Sequence, residues 1–319
     1  MIVKTSVIIP IYNRAHLIAN TLDSIINQTF KNWECILVDD GSLDESLKVI
    51  KEYALRDSRI KIFERPSSLL KGANSCRNFG FLKSLGEHII WFDSDDLMTP
   101  DHIEKKVEAL EKQELDFIVA KTQNFKNGNT LEPYVYKKKP YGIKDSDFIL
   151  LKIHWYTYDV LLKREIAEQI SWNEKMKSWQ DYNYFCKMLL ITENGAYLEK
   201  VLTHRRLHLQ SIQNNLNSTK ENFQIELLEN RLLTFRDIHS KISSQIKREL
   251  LYGMMNLCFE ISRSNKYSDK FPDIIKLVKR FFGKASSNYF QISLICSKYL
   301  KKGNLILEKA KFRNKALRN

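Results

Sequence analysis

Four consecutive residues, Asp93-Ser94-Asp95-Asp96, close an apolar run, His88-Ile89-Ile90-Trp91-Phe92. Carboxylates crowded at a strand end repel one another. Two arrangements relieve this: a hard divalent cation among them, or a solvated turn leading into the next helix. A second acidic pair, Asp39-Asp40, closes another apolar run at Glu34-Cys35-Ile36-Leu37-Val38. If both runs are strands of one parallel sheet, both acidic groups face one crevice beyond the strands' carboxyl ends. With no histidine set nearby, the chemistry is oxygen ligation, Mg or Mn rather than zinc. Mg binds through one or two carboxylates plus substrate phosphates, so a nucleotide diphosphate is a natural ligand. The exit of the first apolar run, Pro10-Ile11-Tyr12-Asn13-Arg14, adds a ring and a guanidinium to the same edge.

The elements that position these residues alternate in type. The β-branched run 6–10 predicts a strand buried on both faces. Leu17, Ile18, Leu22, Ile25 and Ile26 follow at helical intervals. After the second strand, Ser42 with Glu45 predicts a capped helix through Leu47, Ile50 and Tyr53. Residues 60–63 are a third strand, Gly72 opens a helix through Arg77 and Leu82, and 88–92 are the fourth strand. Thr99-Pro100 begins a helix through Leu110, and 116–120 read as another strand. This β-α-β-α order predicts a parallel, doubly wound sheet. Residues 121–147 read as an edge hairpin or a loop. From about 220 only helical periodicity remains, so a boundary is placed at 215–220. There Ile274, Ile275, Leu277, Val278, Phe281 and Phe282 interleave with Lys276, Lys279 and Arg280, a basic amphipathic pattern.

The 319 residues are 43% apolar, which excludes global disorder, and carry a net charge of +13. No apolar run approaches the roughly 20 residues of a spanning helix. The five cysteines are widely spaced and odd in number, which points to a reducing cytoplasm without structural zinc. The basicity is concentrated: residues 217–319 hold 21 Lys+Arg against 9 Asp+Glu, while residues 1–216 hold 30 against 29.

Four ordered segments now stand together: Ser6–Asn13, Ile36–Ser42, Arg77-Asn78 with Gly80, and Gly86–Asp96. They resemble the nucleotide-sugar-binding domain of glycosyltransferase family 2, densely over residues 3–100 and more sparsely to about 215. The resemblance implies a GT-A fold, an α/β Rossmann-like and mostly parallel sheet flanked by helices. It would occupy residues 1–216, with a donor half to about 100 and an acceptor half beyond, followed by a basic helical region, 217–319. It further implies a Mn2+- or Mg2+-dependent, inverting hexosyltransferase using a nucleotide-sugar, UDP-linked, and a glycan or lipid-linked glycan acceptor in cell-envelope polysaccharide synthesis.

Carried onto this sequence, the resemblance lays Pro10, Tyr12 and Arg14 along the nucleotide, with Tyr12 near the base. Asp39 or Asp40 would bond the uracil or its ribose, and Lys71 and Arg77 would line the base and phosphates. Asp93, Ser94 and Asp95 form a DxD-type motif, Asp93 at the ribose and Asp95 on the metal. Trp179-Gln180-Asp181-Tyr182 matches the segment supplying the catalytic base, with Asp181 as that base and Gln180 where Glu is common. In Thr203–Ser211, Arg206 would meet the phosphates and His208 the metal or diphosphate. The alternative is a nucleotide-sugar-binding or scaffold protein of the same fold, catalytically impaired. No nucleic-acid module is recognisable. The basic helices suit an anionic membrane surface at the inner face of the cell membrane, or else a solvated bundle or homo-oligomerisation arm.

Overall fold

The computed structural model describes residues 3–126, 129–133, 142–207 and 220–312. The chain divides into two compact units, 1–208 and 209–319. This division lies upstream of the boundary expected at 215–220, and residues 208–219 lie outside the described set.

The first unit opens with β1 (Thr5–Ile11), α1 (Ile18–Ile26), β2 (Trp33–Asp39), α2 (Ser46–Arg56), β3 (Ile60–Glu64), α3 (Ala73–Lys83) and β4 (His88–Trp91). β5 (Leu97–Met98), α4 (His102–Lys112), β6 (Phe117–Lys126), β7 (Asn129–Pro133) and α5 (Asp145–Ile149) follow, then β8 (Val160–Lys163), α6 (Arg164–Ala167), α7 (Gln180–Leu189) and β9 (Gly195–Arg206). One sheet runs β3-β2-β1-β4-β8-β6-β9-β5, with β7 paired to β6. The four strands β3, β2, β1 and β4 are parallel throughout. Beyond β4 the sheet is mixed, because β8 runs antiparallel to both β4 and β6 while β9 runs parallel to β6. The expected parallel order therefore holds for the donor half and gives way in the second half.

β1 and β2 are buried almost end to end, as strands covered on both faces must be. α1 turns Ile18, Leu22 and Ile25 into the core with Val7, Ile9, Leu37, Ile90 and Phe92. α3 crosses β1 and β2 at Gly80, where an added Cβ would stand 2.7 Å from Ile8 Cγ2. At the opposite strand ends, the buried Glu34 carboxylate accepts from Ser6 Oγ at 2.7 Å and pairs with Lys61 at 2.7 Å, so that buried charge is satisfied. The capped start expected at Ser42 is not formed. Ser42 belongs to the turn after β2, and α2 begins at Ser46, whose amide donates to Asp44 Oδ1 at 3.0 Å.

The second unit is helical among the described residues: α8 (Lys220–Ile238), α9 (Ser244–Arg263), α10 (Phe271–Phe282), α11 (Lys284–Leu300) and α12 (Asn304–Phe312). Ser243 caps α9, its side chain accepting from the Ile246 amide. The core gathers Leu232, Phe235, Met254, Phe259, Ile274, Val278, Phe281, Phe282 and Phe290. This corrects one expectation. The apolar face of α10, the helix whose sequence pattern suited a membrane surface, is spent on that core. No helix among the described residues is long and apolar enough to cross a membrane. All five cysteines are free.

Candidate active site

Three parallel strands deliver the site at their carboxyl ends. Leaving β1, Asn13 takes a left-handed backbone, φ 52°, which a short polar side chain tolerates. Its amide donates to Ser42 Oγ at 3.0 Å, and its Oδ1 accepts from the Leu43 amide at 2.8 Å. The exits of β1 and β2 are thereby clamped together. Asp39 completes the clamp: Oδ2 accepts from the Gly41 and Ser42 amides at 2.9 Å each, and Oδ1 from Ser42 Oγ at 2.5 Å. Asp39 is 1% exposed. Of the two acids offered for the base, then, Asp39 builds the turn beneath. Asp40 ion-pairs with Arg65, a partner the sequence reading passed over because the loop 65–73 matches no clear pattern.

Tyr12 is exposed at the mouth, and Lys71 Nζ sits 4.1 Å above its ring. These two candidates are brought together, an aromatic face beside a cation. Pro10 lies half-buried within β1, opposite Val38. Arg14 reaches inward, its Nε 3.6 Å from Asp95 Oδ2.

β4 delivers the acidic run. Asp93 Oδ1 accepts from Arg77 Nη2 at 2.8 Å. Burial pushes the Asp93 carboxyl up, opposed by Arg77 and reinforced by Asp95. The Ser94 carbonyl accepts from Thr21 Oγ1 at 3.2 Å, tying the run to α1. Asp96 is buried and accepts from the Arg206 amide at 2.8 Å. Burial, with the Asp95 and Asp93 charges, holds its carboxyl well above the usual range. It is a structural acid that locks β9 to the motif.

Arg77 was expected along the nucleotide. It lies buried over the Trp172 ring, 4.6 Å from the ring centre, and donates to Asn74, Gln180 and Asp93. It is a strut. Gln180 is its far end, with Oε1 accepting from Arg77 Nη1 at 2.8 Å. Asp181, next in α7, is half-buried, and its Oδ1 accepts from the Tyr182 amide at 2.8 Å. Its carboxyl is raised by burial, lowered by that amide and raised again by Asp93. A raised carboxyl across from the acidic run is suited to taking a proton.

From β9, Arg206 Nε donates to the Asp95 carbonyl at 3.0 Å while its guanidinium lies over Phe125. Its neighbour Arg205, absent from the sequence candidates, lies half-buried over Tyr156, donates to Tyr156 Oη at 3.2 Å, and feels the Asp96 and Asp93 charges. Strand alternation was the available signal: the two arginines necessarily take opposite faces. His208 lies outside the described residues.

The donor set fits a hard cation only in part. Among the described residues no three His, Cys, Asp or Glu side chains converge. Asp95 and Asp93 supply one or two carboxylates, which is how Mg2+ or Mn2+ is held when diphosphate oxygens complete the shell. The residues therefore suit a metal that arrives with its nucleotide.

Known proteins resemble this chain in sequence and in fold. The family described as Glycosyl transferase family 2 matches residues 6–171. A putative glycosyltransferase, EpsH, of Bacillus subtilis is 26% identical over 262 residues, covering 74% of this chain and 75% of its own. Glycosyltransferase GlyA of Streptococcus pneumoniae is 28% identical over 66% of this chain but only 31% of its own length. Among solved structures, S. aureus TarS 1-349 in complex with UDP-GlcNAc superposes with a TM-score of 0.67 at 18% identity, covering 96% of this chain and 91% of that one. The mannosyltransferase PcManGT of Pyrobaculum calidifontis, in complex with GDP-Man and Mn2+, gives 0.56 at 15% identity, over 98% and 88%.

Proposed function

The chain belongs to glycosyl transferase family 2 and is a glycosyltransferase, and from that premise we propose a metal-dependent, inverting transfer of a sugar from a UDP-sugar to a hydroxyl of a glycan or lipid-linked glycan in cell-envelope polysaccharide synthesis. The observation that carries the reading is the placement of Asp181, a half-buried carboxylate with a raised pKa, electrostatically linked to Asp93 of the acidic run. The UDP assignment draws on the solved neighbour bound to UDP-GlcNAc, and the cation on the neighbour bound to Mn2+.

Tyr12 and Lys71 present a stacking face and a cation to the nucleotide. Asp95, with Asp93, would hold the divalent ion, which when bound supplies Lewis-acid stabilisation of the leaving diphosphate. Arg14 and Arg205 add positive charge near the same carboxylates, where negative charge grows as the diphosphate departs. Asp181 accepts the proton of the attacking acceptor hydroxyl. Attack on the face opposite the leaving group inverts the anomeric centre.

The test is donor turnover by the purified full chain. It is incubated with UDP-, GDP- and dTDP-sugars in Mn2+, Mg2+ or chelator, and release of nucleoside diphosphate is followed. Release from a UDP-sugar in Mn2+ and none in chelator is the expected result. Release unaffected by chelator removes the cation; no release and no binding of any donor removes the reaction.

A further inference from the structure

α11 buries one face and shows another. Ser286, Ser287, Phe290, Ser293, Leu294 and Ser297 face the core of the helical unit. On the other side Ile292, Ile295 and Tyr299 are 47%, 58% and 70% exposed. Their spacing of three and four residues puts them on one stripe over the last two turns. Lys298 is exposed beside the stripe, and Lys301 and Lys302 are exposed just past the helix end. Residues 284–307 contain four lysines and no Asp or Glu. Three large apolar side chains aligned in water, on a stretch of chain whose charged residues are all lysine, mark an interaction surface rather than scattered exposure.

We propose that this α11 stripe seats on an anionic lipid bilayer surface. Ile292, Ile295 and Tyr299 enter the boundary between headgroups and acyl chains, while Lys298, Lys301 and Lys302 meet the lipid phosphates. Tyr299 suits that depth, with an apolar ring and a hydroxyl that stays hydrated. The charge argues against a second copy as occupant. A two-fold pairing through the stripe would bring like lysines together with no carboxylate in residues 284–307 to separate them. The surface also differs from the one the sequence pattern favoured, because α10 has already buried its apolar face. The assignment deepens the envelope-glycan reading, but it is measured without sugar transfer.

The full chain is sedimented with vesicles of phosphatidylcholine alone and of phosphatidylcholine with phosphatidylglycerol. It is expected to pellet with the anionic vesicles only, and less so as salt rises. The triple variant Ile292→Ser, Ile295→Ser, Tyr299→Ser is expected to lower partitioning at least about tenfold, with its thermal midpoint and nucleoside diphosphate release in solution unchanged. Lys298→Gln with Lys302→Gln is expected to weaken anionic binding as well. Three results overturn the proposal: wild-type chain that stays in the supernatant, a triple variant that pellets as well as wild type, or a lipid-free dimer that the triple variant dissolves. A wild-type chain that pellets but neither turns over nor binds any donor sinks the proposed reaction and leaves the surface standing.

Discussion

The Arg77 guanidinium joins Asp93, just past β4, to Gln180, at the start of α7, through two hydrogen bonds of 2.8 Å each. The element bearing the proposed base is thus braced directly against the element bearing the metal carboxylates. An arginine is required, because only its planar fork donates in several fixed directions at once.

Removing that fork separates the two elements. Arg77→Ala leaves Asp93 without its hydrogen-bonded cation and Gln180 Oε1 without that donor. Because Asp93 is one-third exposed (32%), the expected loss is about 2 kcal/mol rather than the larger cost of a fully buried pair. Arg77→Lys keeps the charge without the fork and is expected to fall between. Urea unfolding midpoints measure both, and an Arg77→Ala midpoint equal to wild type would show that the strut carries no stability.

For Asp181 the expected effect is on chemistry. Asp181→Asn preserves shape and the bond from the Tyr182 amide, so transfer should slow by about 10²–10⁴-fold with the donor KM unchanged. The pH behaviour follows from burial. The Asp181 carboxyl titrates above its ordinary 3.8 in the folded chain, so between 3.8 and that higher value the native state holds more protons than the unfolded one. Stability from this group is complete below 3.8 and is lost as pH rises through the raised pKa. The Asn variant lacks this loss. Its thermal midpoint should gain on wild type as pH climbs through the window, while wild-type transfer rises over the same range as the base ionises. Equal midpoint–pH curves for the two proteins would remove the raised carboxyl.

Much of this site was legible because strand-end motifs are local. Asp93–Asp96 and Pro10–Arg14 sit where apolar runs stop, and the parallel β1, β2 and β4 bring those ends to one edge. What the sequence hid depends on contacts between distant segments. Asp39 gives no hint in the sequence that Gly41 and Ser42 donate to its oxygens and build the turn on it. Arg77 gives no hint in the sequence that α7 packs Gln180 against it. That contact also gives the missing Glu at 180 a reason: a neutral acceptor suffices where Arg77 already has Asp93. Arg205 was overlooked because two adjacent arginines read alike until the strand sends them to opposite faces. In the second unit, helix amphipathicity was plain, but which apolar face would be buried was not.

Close packing makes Gly80 a sharper probe of the donor half than any exposed residue. A Cβ there would stand 2.7 Å from Ile8 Cγ2 and 3.1 Å from Val38 Cγ2. Both obstacles are methyls of β-branched side chains held in strands, with little freedom to rotate away. Gly80→Ala should therefore push α3 off β1 and β2, overriding the gain in helix propensity, at a net cost of about 1–3 kcal/mol. The displaced α3 carries Arg77, so donor turnover should fall with the denaturation midpoint. A variant at wild-type stability would mean that α3 slides freely on the sheet.

Behind the acidic run lies a buried amine that the reaction does not use. Lys106 Nζ donates to the Tyr158 carbonyl at 2.8 Å and meets His102 Nε2 at 2.9 Å, while His102 Nδ1 meets the Leu202 carbonyl at 2.8 Å. With Nδ1 carrying the proton for Leu202, Nε2 accepts from the amine in either of its charge states. Burial lowers Lys106 to about 7, against the opposing pull of Asp159. The unfolded chain, at the ordinary 10.5, therefore binds more protons than the native state across the interval from 7 to 10.5. Stability from this group is complete above 10.5 and is lost as pH falls toward 7, with a slope of at most about 1.4 kcal/mol per pH unit. Lys106→Met removes the titration, so the variant's stability minus that of wild type should fall steadily from pH 7 to pH 9 in urea titrations. Parallel curves would mean that Lys106 stays charged in the fold and that Asp159, already accepting from Thr122 at 2.6 Å, is its standing counter-charge.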